Sequence, residues 1–199
     1  MMAHGRGGSP DDMLNLGANL AIADVAYLAP AAAGHSWWPQ SFLAPLDDNE
    51  PWLGSALTAF DAAVSNVLAQ GISPERVVVA GFSQGACLAL EHAARKTRPY
   101  RGVVALSGGL VGTGEAGDPP SRDLYGHTQK SFDYTGQFDA TEVFLGCHQH
   151  DPHIPLARVR ETEGVFRSLG AQVTIEIYPG QGHGLVQQEI SYLRRLLNA

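Results

Sequence analysis

The chain has 199 residues, of which 44% are hydrophobic and 17% are charged. This is enough apolar material for one sizeable core, and too little charge for a disordered chain or a coiled coil. Acidic residues outnumber basic ones by 20 to 13, for a net charge of −7, and no segment concentrates Lys or Arg. This balance argues against a nucleic-acid-binding surface.

The N-terminal segment is rich in glycine and lacks the apolar core of a signal peptide. The longest apolar-rich stretch, residues 20–33, is interrupted by Asp24 and Pro30, so no segment is expected to insert into a membrane. The two cysteines, Cys87 and Cys147, form neither a disulfide framework nor a Cys-x-x-Cys pair. We therefore expect a soluble cytoplasmic protein with a single domain over residues 1–199.

Short β-branched apolar runs alternate with longer helical patterns along the chain. Strands are predicted at residues 25–28, 76–80, 102–106, 142–146 and 172–178. Helices are predicted at residues 9–21, 51–70, 84–97, 155–169 and 184–198. Strand runs that are apolar throughout, alternating with helices, predict a mostly parallel, doubly wound α/β sheet of about six strands with helices on both faces.

Residues 108–141 interrupt this alternation with a segment rich in Gly, Pro, Asp and Ser. A loop of this length in a compact domain is usually functional or mobile, and our hypothesis is that it caps the active site. Within it, Gly112, Gly114 and Gly117 match the spacing of a dinucleotide-binding motif. Pro119 and Pro120 follow where that motif needs a helix, so we reject nucleotide binding.

A Gly-x-Ser-x-Gly motif, Gly-Phe-Ser-Gln-Gly, occupies residues 81–85 between a predicted strand and a predicted helix. Such a sharp turn holds the serine in a strained conformation, with its hydroxyl exposed at the N-terminus of a helix. The alternative is a glycine-rich turn with an uninvolved serine. The strand before the motif and the helix after it favour Ser83 as a nucleophile.

A serine nucleophile needs a base and an acid that orients the base, which follow in the chain order Ser, acid, His. His183 follows the last predicted strand among glycines, and Asp151 is the only carboxylate in the loop after the preceding strand. We predict His183 as the base and Asp151 as its partner; a solvated loop position is the alternative for each. His92 is predicted to lie on a helix surface.

Three histidines flank Asp151 and suggest a zinc site as an alternative, namely His148, His150 and His153. The binuclear pattern His-x-His-x-Asp-His is not matched, because no residue separates His150 from Asp151. No further cluster supplies the remaining ligands. We predict no metal and no cofactor, and we expect these histidines at the rim of a cleft.

An oxyanion hole requires two backbone N–H donors. One is Gln84, which follows the nucleophile, and the other is expected from Arg6 in the glycine-rich segment 4–8. Segment 4–8 has two alternatives: an RNA-binding Arg-Gly-Gly element, which a single copy in an acidic protein disfavours, and a frayed N-terminus. Apolar residues near the predicted strand ends are expected to form a cleft wall, namely Trp37, Trp38, Phe42, Leu110 and Ile154. Core packing is the alternative for the two tryptophans.

Four ordered segments resemble the phospholipase/carboxylesterase family of the α/β hydrolases, which includes small bacterial esterases and acyl-protein thioesterases. These are residues 4–8, residues 36–39 with Trp37, residues 81–86, and Asp151-Pro152 followed by Gly182-His183. The resemblance implies an α/β-hydrolase fold, a triad of Ser83, Asp151 and His183, and an oxyanion hole made by the Arg6 and Gln84 amides.

The chain departs from the family pattern in two places. The family has about two strands before the first glycine loop, so the N-terminal edge strands are expected to be reduced or missing. Gly184 stands where relatives usually have a polar or β-branched residue.

We predict a serine hydrolase that cleaves carboxylic esters of short to medium acyl chains through an acyl-enzyme. A thioesterase or lysophospholipase acting at the same site is the first alternative. A non-catalytic binding module on a hydrolase scaffold is the second, and the intact site residues disfavour it. The expected partner is a small-molecule ester, and an exposed apolar face would allow a homodimer.

Overall fold

A computed structural model of the protein describes residues 1–114, 118–139 and 141–198. Within these ranges, five parallel strands form one sheet in the order of the chain. The strands are β1 Met2–Ala3, β2 Val78–Phe82, β3 Gly102–Leu106, β4 Glu142–His150 and β5 Gln172–Gln181. The helices are α1 Pro10–Leu20, α2 Trp52–Ala69, α3 Gln84–Arg95, α4 Leu156–Ser168 and α5 Gln187–Asn198.

The two faces of the sheet carry different helices. Successive side chains of β3 alternate between two apolar clusters: Val103 and Ala105 pack on one face, and Val104 and Leu106 on the other. Helices α2, α3 and α4 cover the first face, whereas α1 and α5 cover the second. Because both faces are buried, the strands need apolar residues throughout. The predicted parallel α/β sheet with helices on both faces is confirmed, with five strands in the described ranges where about six were predicted.

The predicted strand at residues 25–28 is wrong. This segment is irregular, and its one backbone hydrogen bond to the sheet edge runs from Met2 N–H to the Leu28 carbonyl oxygen (2.8 Å). The edge position belongs to β1, in which Met2 pairs with Ala80 of β2. Tyr27 instead packs on α1, where a Cβ on Gly17 would lie 2.6 Å from its ring. Side-chain packing against a helix has overridden the strand preference of this segment.

Buried charges fasten the long loop that follows β3. Arg158 of α4 is fully buried, and its Nη1 donates to the carbonyl oxygens of Leu110 (2.8 Å) and Gly112 (2.6 Å). Glu91 of α3 is also fully buried, and it accepts the backbone N–H of Val111 (3.0 Å). The loop thereby covers the outer side of α3.

The prediction that His92 lies on a helix surface is wrong, because α2 covers this side chain: His92 is 1% exposed, its ring packs on Phe60 (5.1 Å between centroids), and its Nε2 lies 3.1 Å from Oδ1 of Asp61. Residues 115–117 and 140 lie outside the described residues, so the Gly117 position of the rejected nucleotide motif and part of the predicted cap are outside them too. None of the described helices combines the length and the apolar character that crossing a membrane requires.

Candidate active site

Ser83 lies in the turn between β2 and α3, with φ 53° and ψ −119°. Side-chain-bearing residues rarely adopt this conformation, which is held here by tight packing on both sides. A Cβ on Gly81 would lie 2.2 Å from the Gly85 carbonyl group, and a Cβ on Gly85 would lie 2.1 Å from the Ala3 carbonyl oxygen. Both motif glycines are therefore required by the close approach of neighbouring backbone.

Three side chains from distant parts of the sequence meet at the carboxyl end of the sheet. His183 Nε2 lies 2.8 Å from Ser83 Oγ, and His183 Nδ1 lies 2.7 Å from Asp151 Oδ2. The three residues follow β2, β4 and β5, and the carboxyl ends of parallel strands are the usual place for an α/β ligand site. The structure brings together the three residues that the sequence predicted as nucleophile, base and acid.

Asp151 is 1% exposed and receives hydrogen bonds on both carboxylate oxygens. Oδ2 faces the imidazole of His183, while Oδ1 accepts the backbone N–H groups of His153 (2.8 Å) and Ile154 (3.0 Å). Burial by itself raises the pKa of this carboxyl, but the hydrogen bonds from His183 and the two backbone amides outweigh it and hold the pKa below its usual value. Asp151 is thus ionised at neutral pH and accepts a proton-bearing Nδ1, which leaves His183 Nε2 as an acceptor for the serine hydroxyl.

The loop around His183 is shaped by ring contacts and by one glycine. The His183 ring packs against Phe82 (5.2 Å between centroids) and edge-on against His153 (4.8 Å). A Cβ on Gly182 would lie 2.7 Å from the ring of His148, so a side chain at this position would displace that ring. Among the described residues beyond its two chain neighbours, no atom lies within 4 Å of a Cβ placed on Gly184. The described structure therefore gives no packing cause for its departure from the family pattern.

The two predicted oxyanion donors, Arg6 and Gln84, line the same cleft as Ser83. Arg6 belongs to the N-terminal glycine-rich segment, and Gln84 to the start of α3. Neither Arg6 nor Gln84 donates its backbone N–H to another backbone group in the ranges that the structure describes. Gln84 is the first residue of α3, where N–H groups have no partner within the helix. The Arg6 side chain donates instead to the carbonyl oxygens of Pro39 (2.8 Å) and Gln40 (2.6 Å).

A cleft of about 500 Å³ opens beside the Ser83 hydroxyl. Three of the predicted apolar residues, Trp38, Phe42 and Ile154, line it. The cleft is also lined by residues that the sequence did not single out for it, among them Pro39, Gln40, Ser41, Phe82 and Cys87. Cys87 lies one turn along α3, and its N–H donates to the Ser83 carbonyl oxygen (3.0 Å). The available signal was its i+4 spacing from the nucleophile on a predicted helix. Burial raises the pKa of the Cys87 thiol to about 12, which keeps it protonated.

Two predicted lining residues lie elsewhere. Trp37 is buried outside the cleft, and its indole N–H donates to the His4 carbonyl oxygen (2.8 Å). Leu110 is fully buried in the core beside α4, and its N–H donates to Thr162 Oγ1 (3.0 Å). Trp37 therefore supports the site from behind, and Leu110 belongs to the anchored start of the long loop.

The histidines that flank Asp151 differ in their surroundings. His148 packs on Tyr178 at 5.7 Å between ring centroids, and His153 is the one of the three flanking histidines that lines the cleft. Within the described ranges, no three His, Cys, Asp or Glu side chains are placed to hold a metal ion.

The segment predicted as a cap lies away from the cleft. None of the described residues of 108–141 lines the cleft, although the Tyr125 hydroxyl donates to the Asp151 carbonyl oxygen. Closure of this segment over the site stays a prediction.

Comparisons with known proteins identify the family of the chain. The family model described as phospholipase/carboxylesterase matches residues 2–199. Acyl-protein thioesterase 1 of Saccharomyces cerevisiae is 40% identical over 185 residues, covering 89% of this chain and 73% of the yeast protein. A putative esterase, NocK, of Nocardia uniformis is 29% identical over 183 residues, covering 86% of this chain and 51% of its own length. The chain spans 54% of acyl-protein thioesterase 1 of Gibberella zeae, which is 28% identical over 138 residues, or 69% of this chain.

Solved structures extend the likeness over the whole chain. A phospholipase/carboxylesterase of Dyadobacter fermentans superimposes with a TM-score of 0.86 at 37% identity, covering 100% of this chain and 88% of that one. Arabidopsis thaliana SOBER1 has the same fold at 19% identity, with a TM-score of 0.73 and coverage of 99% and 95%.

Proposed function

Because the chain belongs to the phospholipase/carboxylesterase family of α/β hydrolases, we propose that it is a serine hydrolase that cleaves carboxylic esters. The observation that carries this proposal is the contact chain from Ser83 Oγ through the His183 imidazole to Asp151, with distances of 2.8 and 2.7 Å. A hydroxyl in contact with an imidazole that a buried carboxylate orients is the arrangement that activates a serine.

The reaction proceeds in two steps through an acyl-enzyme. His183 Nε2 takes the proton of Ser83 as Oγ attacks the ester carbonyl carbon, and Asp151 stabilises the imidazolium that forms. The N–H groups of Arg6 and Gln84 stabilise the negative charge on the carbonyl oxygen. His183 then protonates the leaving alcohol, and water repeats the sequence on the acyl-enzyme to release the acid. This chemistry needs no cofactor.

Replacement of the nucleophile tests the proposal. We expect S83A to lower kcat for ester hydrolysis by more than about 10³-fold without unfolding the protein, because no other group takes over the attack. Ser107 offers a matched control, since it also follows a strand with positive φ (57°) but is 1% exposed and does not line the cleft. S107A should keep most of the activity. Hydrolysis by S83A at the wild-type rate would contradict the proposal.

The cleft favours acyl chains of short to medium length. Its volume is about 500 Å³, and Trp38, Phe42 and Ile154 give it an apolar wall. A series of p-nitrophenyl esters from acetate to palmitate, compared by kcat/KM, checks this part of the proposal. We expect a maximum at or below medium chain length, and a maximum at the longest chain would contradict it.

A thioesterase or lysophospholipase activity at the same site is the second candidate. The likeness to the yeast acyl-protein thioesterase, at 40% identity, favours the thioesterase. Oxygen esters and thioesters with the same acyl group, assayed side by side, separate the two activities. A higher kcat/KM for the thioester would make the thioesterase the main activity. A non-catalytic binding module would hydrolyse neither.

We also propose a cytoplasmic location and leave a homodimer as a prediction. Both cysteines, Cys87 and Cys147, are free and buried, which suits a reducing compartment. Cell fractionation followed by immunoblotting checks the location, and light scattering after size exclusion checks the oligomeric state.

A further inference from the structure

One buried side chain, Trp37, fastens the loop that carries Arg6 to the nucleophile turn. The indole Nε1–H of Trp37 donates to the His4 carbonyl oxygen (2.8 Å), and its backbone N–H donates to Oε1 of Gln84 (3.0 Å). Trp37 is 5% exposed and does not line the cleft. A single residue therefore joins the two segments that supply the proposed oxyanion donors.

The His4 carbonyl group that Trp37 binds is confined on its other side. A Cβ on Gly85 would lie 2.5 Å from this oxygen, so the start of α3 leaves it little room to move. The His4 ring packs on the Trp37 ring at 5.0 Å between centroids, and its Nδ1–H donates to the Gly5 carbonyl oxygen (2.8 Å). Its Nε2 accepts the N–H of Ala32 (3.2 Å), so both ring nitrogens of His4 are paired with backbone groups.

The polar groups on both sides of the Arg6 amide are paired. Gly7 N–H donates to the His35 carbonyl oxygen (2.7 Å), and Gly8 N–H donates to that of Gly5 (3.0 Å). In the ranges that the structure describes, the Arg6 N–H itself has no backbone partner. The pairing of Gly7 and Gly8 thus leaves the Arg6 N–H available at the wall of the cleft.

We propose that Trp37 is a positioning residue, whose indole N–H holds the peptide from His4 to Arg6 in the orientation that aims the Arg6 N–H at the developing oxyanion. This inference rests on the proposed serine hydrolase function. The oxyanion exists only in the transition states and tetrahedral intermediates, so misalignment of one donor lowers kcat. Because Trp37 does not contact the cleft, ground-state binding of the ester and hence KM stay the same.

The experiment compares W37F with wild type, since phenylalanine keeps an aromatic ring and removes the N–H. We expect kcat to fall about tenfold, less than the 10²–10³-fold loss that follows removal of a whole oxyanion donor, with KM within about twofold. The affinity for a trifluoromethyl ketone, which forms an oxyanion-bearing adduct with a serine, should fall by the same factor as kcat. Trp52, 53% exposed at the start of α2, supplies the control, and W52F should behave as wild type.

A folded W37F protein with wild-type kcat, or with its loss confined to KM, would overturn the role of Trp37. If W37F does not fold, site-specific replacement of Trp37 by 3-benzothienylalanine exchanges the N–H for sulfur in a ring system of nearly the same shape. The same fall in kcat and in ketone affinity is then expected, and its absence overturns the inference. Fully active S83A would contradict the proposed function itself, whereas active W37F beside inactive S83A contradicts only the role of Trp37.

Discussion

The nucleophile turn at residues 81–85 and the long loop that begins at residue 108 are held by opposite means. The turn is held by steric exclusion between glycines a few residues apart and the backbone of β1. The loop is held by Arg158 and Glu91, two buried charges on helices that the loop does not belong to. The two glycines of the turn lie close together in the sequence, so their packing requirement is visible as a motif. Arg158 and Glu91 lie far from the loop in the sequence, so the contacts that hold the loop correspond to no recognisable sequence pattern.

The largest expected effect comes from adding one methyl group to the turn. G85A should destabilise the protein by more than about 4 kcal/mol or prevent folding, because the new Cβ would lie 2.1 Å from the Ala3 carbonyl oxygen. Gly164 in α4 is the matched control, since its added Cβ would meet no atom within 4 Å in the described part of the chain, apart from the backbone of its own helix and its two chain neighbours. G164A should stabilise the protein by about 0.5–1 kcal/mol through helix propensity. Urea unfolding measures both, and a G85A protein as stable as wild type would show that steric exclusion does not hold the turn.

The second largest effect is expected when Arg158, which anchors the loop, loses its guanidinium group. R158M should cost about 3–5 kcal/mol, because two buried carbonyl oxygens and Glu161 lose their donor. Arg160, two residues further along α4, pairs with Glu163 at 3.0 Å, and its side chain is 54% exposed. R160M should therefore cost less than about 1 kcal/mol of stability. Limited proteolysis should cut R158M faster within residues 118–139. Equal costs for the two variants would contradict the contrast between buried and exposed charges.

A smaller effect, on the pH dependence of stability, is expected from a buried carboxylate that lacks a cationic partner. Glu91 binds Arg95 (2.7 Å), whereas Glu189 in the first turn of α5 accepts only the Val186 N–H (3.0 Å) and leaves Oε1 without a described partner. Burial raises the pKa of Glu189 to about 7, with a further contribution from the charge of Glu176, although the Val186 bond opposes it.

The sign of the pH dependence follows from that shift. A folded-state pKa above the unfolded value of ~4.3 means that Glu189 contributes stability at low pH, and that this contribution is lost as the pH rises toward 7. Between pH 4.5 and 7.5 the wild type should therefore lose roughly 3 kcal/mol relative to E189Q, because glutamine does not ionise. Thermal or urea unfolding across this range measures the difference. A constant difference between the two proteins at all pH values would contradict the prediction.

The contrast between the two regions also explains what the sequence could predict. Ser83, Asp151 and His183 were predicted because each follows a strand at a recognisable turn and their chain order is characteristic. Trp37 and Leu110 were wrongly predicted to line the cleft. An apolar residue that follows a predicted strand can face either the cleft or the core, and the sequence does not distinguish the two positions. Arg158 resembles Arg160 in sequence, and only the loop packed over its helix distinguishes a buried cation from a solvated one.

The central claim is that Ser83 is activated by His183 and Asp151 at the end of the sheet. Covalent labelling by a fluorophosphonate, followed by peptide mass spectrometry, tests it most directly, because this reagent reacts with activated serines. The account predicts one adduct, located on Ser83 and absent from S83A. An unlabelled wild-type protein, or an adduct on another residue, would contradict it.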